Sequence, residues 1–233
     1  IWMSAILLVD IARRQRELQL ERQRTLDLLR EASKKQMELD REPAVFKVSV
    51  MFIDMVGFAK AADSLSGDEI FDTLSQQMLA MTSIIEQHHG VVDRSLGDGL
   101  LCYFPEAITH HALRAWHVAH KIQLMVIDAA RFGKRTRTNL RLLPVRIGIH
   151  SDQVLLGNMG GESRIDFTMV GQGVMLANRL EQACSPYRIM VSEATKTELV
   201  ANGIDAMEFE EILIPIKNRP DLIKAYELSL IHI

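Results

Sequence analysis

In VVDRSLGDGLLCYF, residues 91–104, two apolar runs flank Gly97-Asp98-Gly99, and Arg94 stands just upstream. As local structure this pattern predicts a β-hairpin, because glycine and aspartate supply the positive φ angles that tight turns need. As chemistry, a carboxylate at a hairpin tip is well placed to hold a metal ion. The stretch alone supports both readings. What decides between them lies elsewhere in the chain.

A second carboxylate closes a second apolar run. FKVSVMFIDM, residues 46–55, alternates briefly and then becomes continuously apolar, as a central strand does. Asp54 ends that run, where an unpaired charge is costly to bury. MVGF follows, with a glycine that lets the backbone turn. If the two strands are neighbours, Asp54 and Asp98 converge and make a hard oxygen site suited to Mg²⁺. The alternative for Asp54 is a helix N-cap ahead of GFAKAAD.

Around these strands the chain alternates between helical and extended patterns. SGDEIFDTLSQQMLAMTSIIEQHHG carries a Ser66 cap, apolar residues at helical spacing (Ile70, Leu74, Met78, Met81, Ile85) and a closing Gly90. ITHHALRAWHVAHKIQLMVIDAARF predicts a second long amphipathic helix. LPVRIGIHSDQVLLGNMGG reads as a strand, a polar turn and another strand. GVMLANRLEQAC reads as a helix and YRIMVSEATKTELV as a strand running into a short helix. EFEEILIPI and LIKAYELSL pair across the turn KNRPD. Two hairpins interrupt the alternation, so the sheet is mixed and the class is α+β.

Composition excludes several classes. The 233 residues are 48% hydrophobic and 24% charged, with a formal net charge of −3, so no basic excess points to nucleic acid. Cys102 and Cys184 are too few for a disulfide framework and read as buried thiols in a reducing compartment. The pairs His88-His89 and His110-His111 lack metal-ligand spacing and read as helix-surface residues.

The first 43 residues form a separate region. IWMSAILLV is apolar but far too short to span a bilayer, which needs roughly twenty residues. Arg13, Arg14 and Arg16 follow, as at the cytoplasmic exit of a membrane helix; a greasy helix end packed on a partner is the alternative. Residues 4–40 lack Gly and Pro and are rich in helix formers. Ile11, Leu18, Thr25, Ala32 and Leu39 recur every seven residues, but the companion positions Arg14, Glu21 and Lys35 are charged. Half a heptad seam fits a weak parallel coiled coil or a solvated single helix. Glu42-Pro43 ends it.

Three ordered stretches, FIDMVGFAK, SLGDGLLCYF and DFTMVGQGVMLANRLE, together resemble the catalytic domain of class III nucleotidyl cyclases, the adenylate and guanylate cyclases. The tail IKNRPDLIKAYEL matches as well, with a lysine nine residues before a tyrosine. The likeness covers residues 46–229. It implies a ferredoxin-like mixed and antiparallel sheet with flanking helices over residues 44–233, preceded by a signalling helix at 1–43.

The resemblance also implies the site. Two copies pair head to tail as a homodimer with active sites in the cleft between them. Asp54 and Asp98 match the metal-binding aspartates, with the backbone carbonyl of Met55 as a further ligand for two Mg²⁺ or Mn²⁺ ions per site. Arg179 matches the arginine that steadies the transition state, and Lys217 the lysine on the terminal phosphates. Thr168 stands at the second base-reading position, where bacterial enzymes that use ATP often carry threonine. An upstream sensor or transmembrane domain is implied, with the catalytic domain at the inner face of the cell membrane.

Two positions depart from the family pattern. Adenylate cyclases carry lysine at the first base-reading position, where this chain has Arg94; the charge is kept but reach and geometry change. The asparagine that orients the ribose lies four residues before the arginine, and here that residue is Met175, which offers no donor. Two functions follow: an active cyclase, for ATP first and GTP or a pyrimidine triphosphate next, or a nucleotide-binding, dimerising module without turnover.

Overall fold

The computed structural model of the chain describes residues 43–63, 66–136, 142–158, 167–215 and 222–228. The N-terminal helix, the membrane exit and the coiled-coil seam expected before residue 43 lie outside them. Among the described residues no helix is long and apolar enough to cross a membrane.

The strands are β1 (Ala44–Met55), β2 (Val91–Leu96), β3 (Gly99–Pro105), β4 (Val145–Asn158), β5 (Phe167–Val170), β6 (Ile189–Ser192), β7 (Phe209–Pro215) and β8 (Leu222–Leu228). They form one sheet in the order β2-β3-β1-β4-β6-β8-β7, with β5 paired to β4. The β4–β6 pair is parallel. The β1–β3, β1–β4, β2–β3, β6–β8 and β7–β8 pairs are antiparallel. The architecture is α+β with a mixed sheet and flanking helices.

The five α-helices of the described residues are α1 (Phe58–Ala62), α2 (Gly67–Gln87), α3 (His111–Thr136), α4 (Gln172–Ala183) and α5 (Glu193–Ala201). A capping box starts α2: Ser66 Oγ accepts from the Glu69 N–H, and the Ser66 N–H donates to the Glu69 carboxylate at 3.0 Å.

β1 lies between β3 and β4 with helices on both faces, which is why its sequence is apolar without a break. Met51, Ile53 and Met55 share a core with Met81 and Ile85 of α2 and Ala119 and Ile122 of α3. Val48, Val50 and Phe52 face the other way, toward Ala177 of α4. Asp54 continues this second set, since successive strand residues alternate faces. Its side chain therefore belongs to the α4 face.

Three expectations change. HSDQ does not break the strand: β4 runs unbroken from Val145 to Asn158, paired with β1 from Met55↔Val145 to Ala44↔Leu156. A partner strand along that length satisfies backbone groups that locally favour a turn. The hairpin tip takes its positive φ from Gly97 alone, at 68°, while Asp98 stays at negative φ; that combination belongs to a type II′ turn. His111 is not a surface residue. It is buried, with Nδ1 2.8 Å from Ser49 Oγ and Nε2 3.1 Å from Glu198. Both thiols are free and buried, as expected, and burial pushes Cys184 up to about 12.

Candidate active site

The β1–β3 register sets Asp54 opposite Gly99, the residue after Asp98. A Cβ at Gly99 would lie 2.7 Å from the Ile53 carbonyl oxygen, so only glycine lets β3 start this close to β1. The two carboxylates feel each other. Burial holds Asp98 above its usual carboxyl range, and the charge of Asp54 adds to the effect. Asp54 does not cap a helix: the residue before α1 is Gly57, which has no side-chain cap bond.

Asp54 instead meets Arg146 of β4, at 3.0 Å from Nε and 2.8 Å from Nη2. Arg146 sits on the α4 face like Asp54, and so does Gly148. A Cβ at Gly148 would stand 2.2 Å from the Glu181 nitrogen, so α4 rests directly on β4 there. That approach delivers Glu181, whose Oε1 lies 2.6 Å from Arg146 Nε. The single Nε proton is directed at Asp54, so this buried oxygen receives charge without a directed hydrogen bond. Burial pushes Glu181 up to about 7, opposed by Arg146 and reinforced by Asp54 and Asp98.

Two carboxylates therefore touch one guanidinium, and the charge of a third, Asp98, is felt beside them. Among the described residues, no group of three or more His, Cys, Asp and Glu stands close enough to hold a metal by itself. The donor set still fits a divalent cation: hard oxygens, half-exposed at Asp54 and Asp98, with more carboxylates than cations among the described residues. Met55, the next residue of β1, has a buried side chain, so any contribution it makes must come from its backbone.

The remaining positions separate by place. Met175 and Arg179 lie one turn apart on α4, away from buried Ala177, Leu180 and Glu181; Met175 is 60% exposed and Arg179 half-buried. Arg94 on β2 and Thr168 on β5 meet through a residue that the sequence reading passed over. Asp93 Oδ2 lies 2.7 Å from Arg94 Nε and 3.3 Å from Thr168 Oγ1. Lys217 lies outside the described residues. The structure thus joins Asp54 with Asp98, and Arg94 with Thr168.

Residues 42–229 match the model of the adenylate and guanylate cyclase catalytic domain. The chain belongs to this family. It is 26% identical over 185 residues to an adenylate cyclase of Anabaena cylindrica, covering 78% of this chain and 37% of that protein. It is 28% identical over 167 residues to the soluble guanylate cyclase gcy-31 of Caenorhabditis elegans, covering 70% and 23%. It thus spans well under half the length of these relatives. Its fold is similar to the adenylyl cyclase CyaB from P. aeruginosa, with a TM-score of 0.71 and 24% identity over 81% of this chain and 96% of that one. The guanylyl cyclase Cya2 gives 0.69 and 25%, over 80% and 93%. Adenylate and guanylate cyclases stand side by side here, so kinship assigns a class III nucleotidyl cyclase domain and leaves the base to the pocket. The family generally uses divalent metals and typically acts as a dimer.

Proposed function

We propose that this cyclase domain converts ATP to 3′,5′-cyclic AMP and pyrophosphate. The observation that carries the reading is the excess of carboxylate over cation where β1 and β3 meet. Asp54, Asp98 and the Met55 carbonyl would hold two Mg²⁺ or Mn²⁺ ions. When bound, such ions lower the pKa of the ribose 3′-hydroxyl and neutralise the triphosphate. The 3′-oxygen bonds to the α-phosphorus as the bond to the bridging oxygen breaks; pyrophosphate leaves and the hydroxyl proton passes to solvent.

The chain's own groups orient this exchange. Arg179, planar and always charged, suits the equatorial oxygens of the phosphoryl group under attack. Lys217 suits the terminal phosphates, and Arg94 and Thr168 the base. Met175 supplies no hydrogen bond to the ribose, which lowers the rate without removing the chemistry. Arg94 and Asp98 lie four residues apart on one hairpin, and in the family geometry they serve different sites. Asp54 and Asp98 of one copy are therefore completed by Arg94, Thr168, Arg179 and Lys217 of a second copy, giving two equivalent sites in a homodimer.

Incubating the protein with Mg²⁺ or Mn²⁺ and each of the four triphosphates, with products identified by mass, should yield cyclic AMP first. Mixing inactive Asp54→Ala with inactive Arg179→Ala should restore activity, because one site of each heterodimer holds only native groups. Failure despite proven subunit exchange would sink the shared site. The exposed Met175 favours one second reading, a nucleotide-binding module without turnover. Absence of any cyclic product would select it.

A further inference from the structure

Asp93 is not among the residues through which the sequence announces a cyclase, and its setting is unusual. The β2–β3 pairing shifts register between Val92 and Arg94, so Asp93 falls at the irregularity, out of step with its neighbours. Its side chain is 3% exposed. It lies close enough to Cys102 and Tyr103 that its charge, second to burial, helps push both of their pKa values up. A carboxylate buried this deeply must be compensated. Arg94 Nε and the Thr168 hydroxyl do so, both on the same oxygen.

That arrangement fixes the hydrogen-bond polarity of the corner. A threonine hydroxyl has one proton and can turn to donate or accept. Here the proton is given to Asp93, so toward a ligand Thr168 presents lone pairs only. Arg94 can only donate, and its Nε bond to Asp93 sets the plane of the guanidinium. Donor thus stands beside acceptor. The six-membered edge of adenine carries one donor, the amino group, beside one acceptor, N1, and both are satisfied. The edge of guanine carries one acceptor and two adjacent donors. Asp93 is too buried to meet the second, which is left unpaired at a cost of roughly ten- to a hundredfold in affinity.

We propose that Asp93 is a positioning residue that sets the base selectivity of the site for adenine, by holding Thr168 as a hydrogen-bond acceptor and Arg94 in plane. The proposal rests on the assignment of Arg94 and Thr168 to the base.

The test is competition binding on the full chain. A fluorescent triphosphate is displaced, in Mn²⁺ or Mg²⁺, by ATP, by GTP and by inorganic tripolyphosphate, which has no base. The native protein should favour ATP over GTP. Asp93→Ala frees the Thr168 proton to meet guanine O6 and should shift the ATP:GTP ratio toward GTP by about tenfold or more, with tripolyphosphate displacement unchanged. Asp93→Asn should retain the preference, since its carbonyl oxygen accepts from both partners. Thr168→Val should lose it, and adding Asp93→Ala should then shift the ratio little further.

An unchanged ratio in Asp93→Ala, a native protein indifferent to the base, or an equal loss of tripolyphosphate binding would each overturn the proposal. If Asp93→Ala does not fold, the Asp93→Asn and Thr168→Val arms decide: a lost preference in the first or a kept one in the second overturns it. Turnover is read separately. A native protein that favours ATP but makes no cyclic product overturns the cyclase reaction and leaves this inference standing.

Discussion

Two groups of buried and half-buried polar side chains in this domain are resolved in opposite ways. At the β1–β3 junction, Asp54 and Glu181 share the single charge of Arg146, with Asp98 close enough to feel both Asp54 and Arg146, and one buried oxygen of Glu181 lacks a directed bond. Elsewhere a neutral seam links β1, β4, β6, α3 and α5. His111 meets Ser49, Ser49 meets Ser151, Ser151 meets Thr195, Thr195 meets Ser192, and Ser192 meets His150, each at 2.7 to 3.1 Å. Glu198 holds the far nitrogen of His111, and Lys47 bridges Glu198 and Glu106. Every step of the seam has a partner within the chain, so it serves the fold. Among the described residues the junction sets more carboxylates than cations against one another, so it is open to completion from outside.

The comparison breaks first at Asp54 and Asp98. Replacing either with Ala removes a hard anionic ligand, so cyclic-nucleotide production should fall to background, on the order of a thousandfold or more, in protein whose circular dichroism is native. Near-normal turnover would reduce the junction to a structural ion pair around Arg146. Met175→Asn should act in the opposite direction on the same chemistry. A ribose hydrogen bond returned to α4 should raise kcat by up to about a hundredfold. A fall in kcat would mean that Met175 packs against a substrate placed differently.

The contrast also explains what the sequence exposes. Asp54 and Asp98 are legible because each is a charge at the end of an apolar run. The Ser66 cap, the apolar faces of α2 and α3 and the run through β1 are legible because their signals are local. Arg146 and Glu181 are not: each is a lone charge inside an apolar pattern, and Arg146 finds Asp54 only 92 residues away. The signal was present, since Glu181 falls on the same helical face as Ala177 and Cys184, where an acidic residue needs a partner. Asp93 was masked by Arg94 beside it. The unbroken β4 and the burial of His111 were illegible for the same reason, because β1 and Glu198 supply what the local sequence lacks.

The seam should answer to mutation in stability, not rate. Ser49→Ala strands His111 Nδ1 in a buried site and leaves the Ser151 hydroxyl with Thr195 alone. Unfolding in urea should show a loss of about 1–3 kcal/mol, with turnover per folded molecule unchanged. An unchanged midpoint would mean that water replaces the hydroxyl. A drop in turnover at full folding would tie the seam to the site.

Proton linkage gives the finest test, because the two regions should tilt the stability curve in opposite directions. Burial lowers the pKa of His111 and His150 below the ordinary 6.5, against the opposing pull of Glu198 and Asp152. Below about pH 6.5 the unfolded chain therefore binds more protons than the native one, and the seam's contribution is lost as pH falls. Glu181 runs the other way. Its folded value of about 7 stands above its ordinary 4.5, so between those limits the native state binds the extra proton and gains from acid. In metal-free buffer, His150→Asn should make the loss of melting temperature on acidification shallower than in the native protein. Glu181→Gln should make it steeper. If both variants tilt the curve the same way, the charge-rich junction and the neutral seam are not the two different constructions that their hydrogen bonds describe.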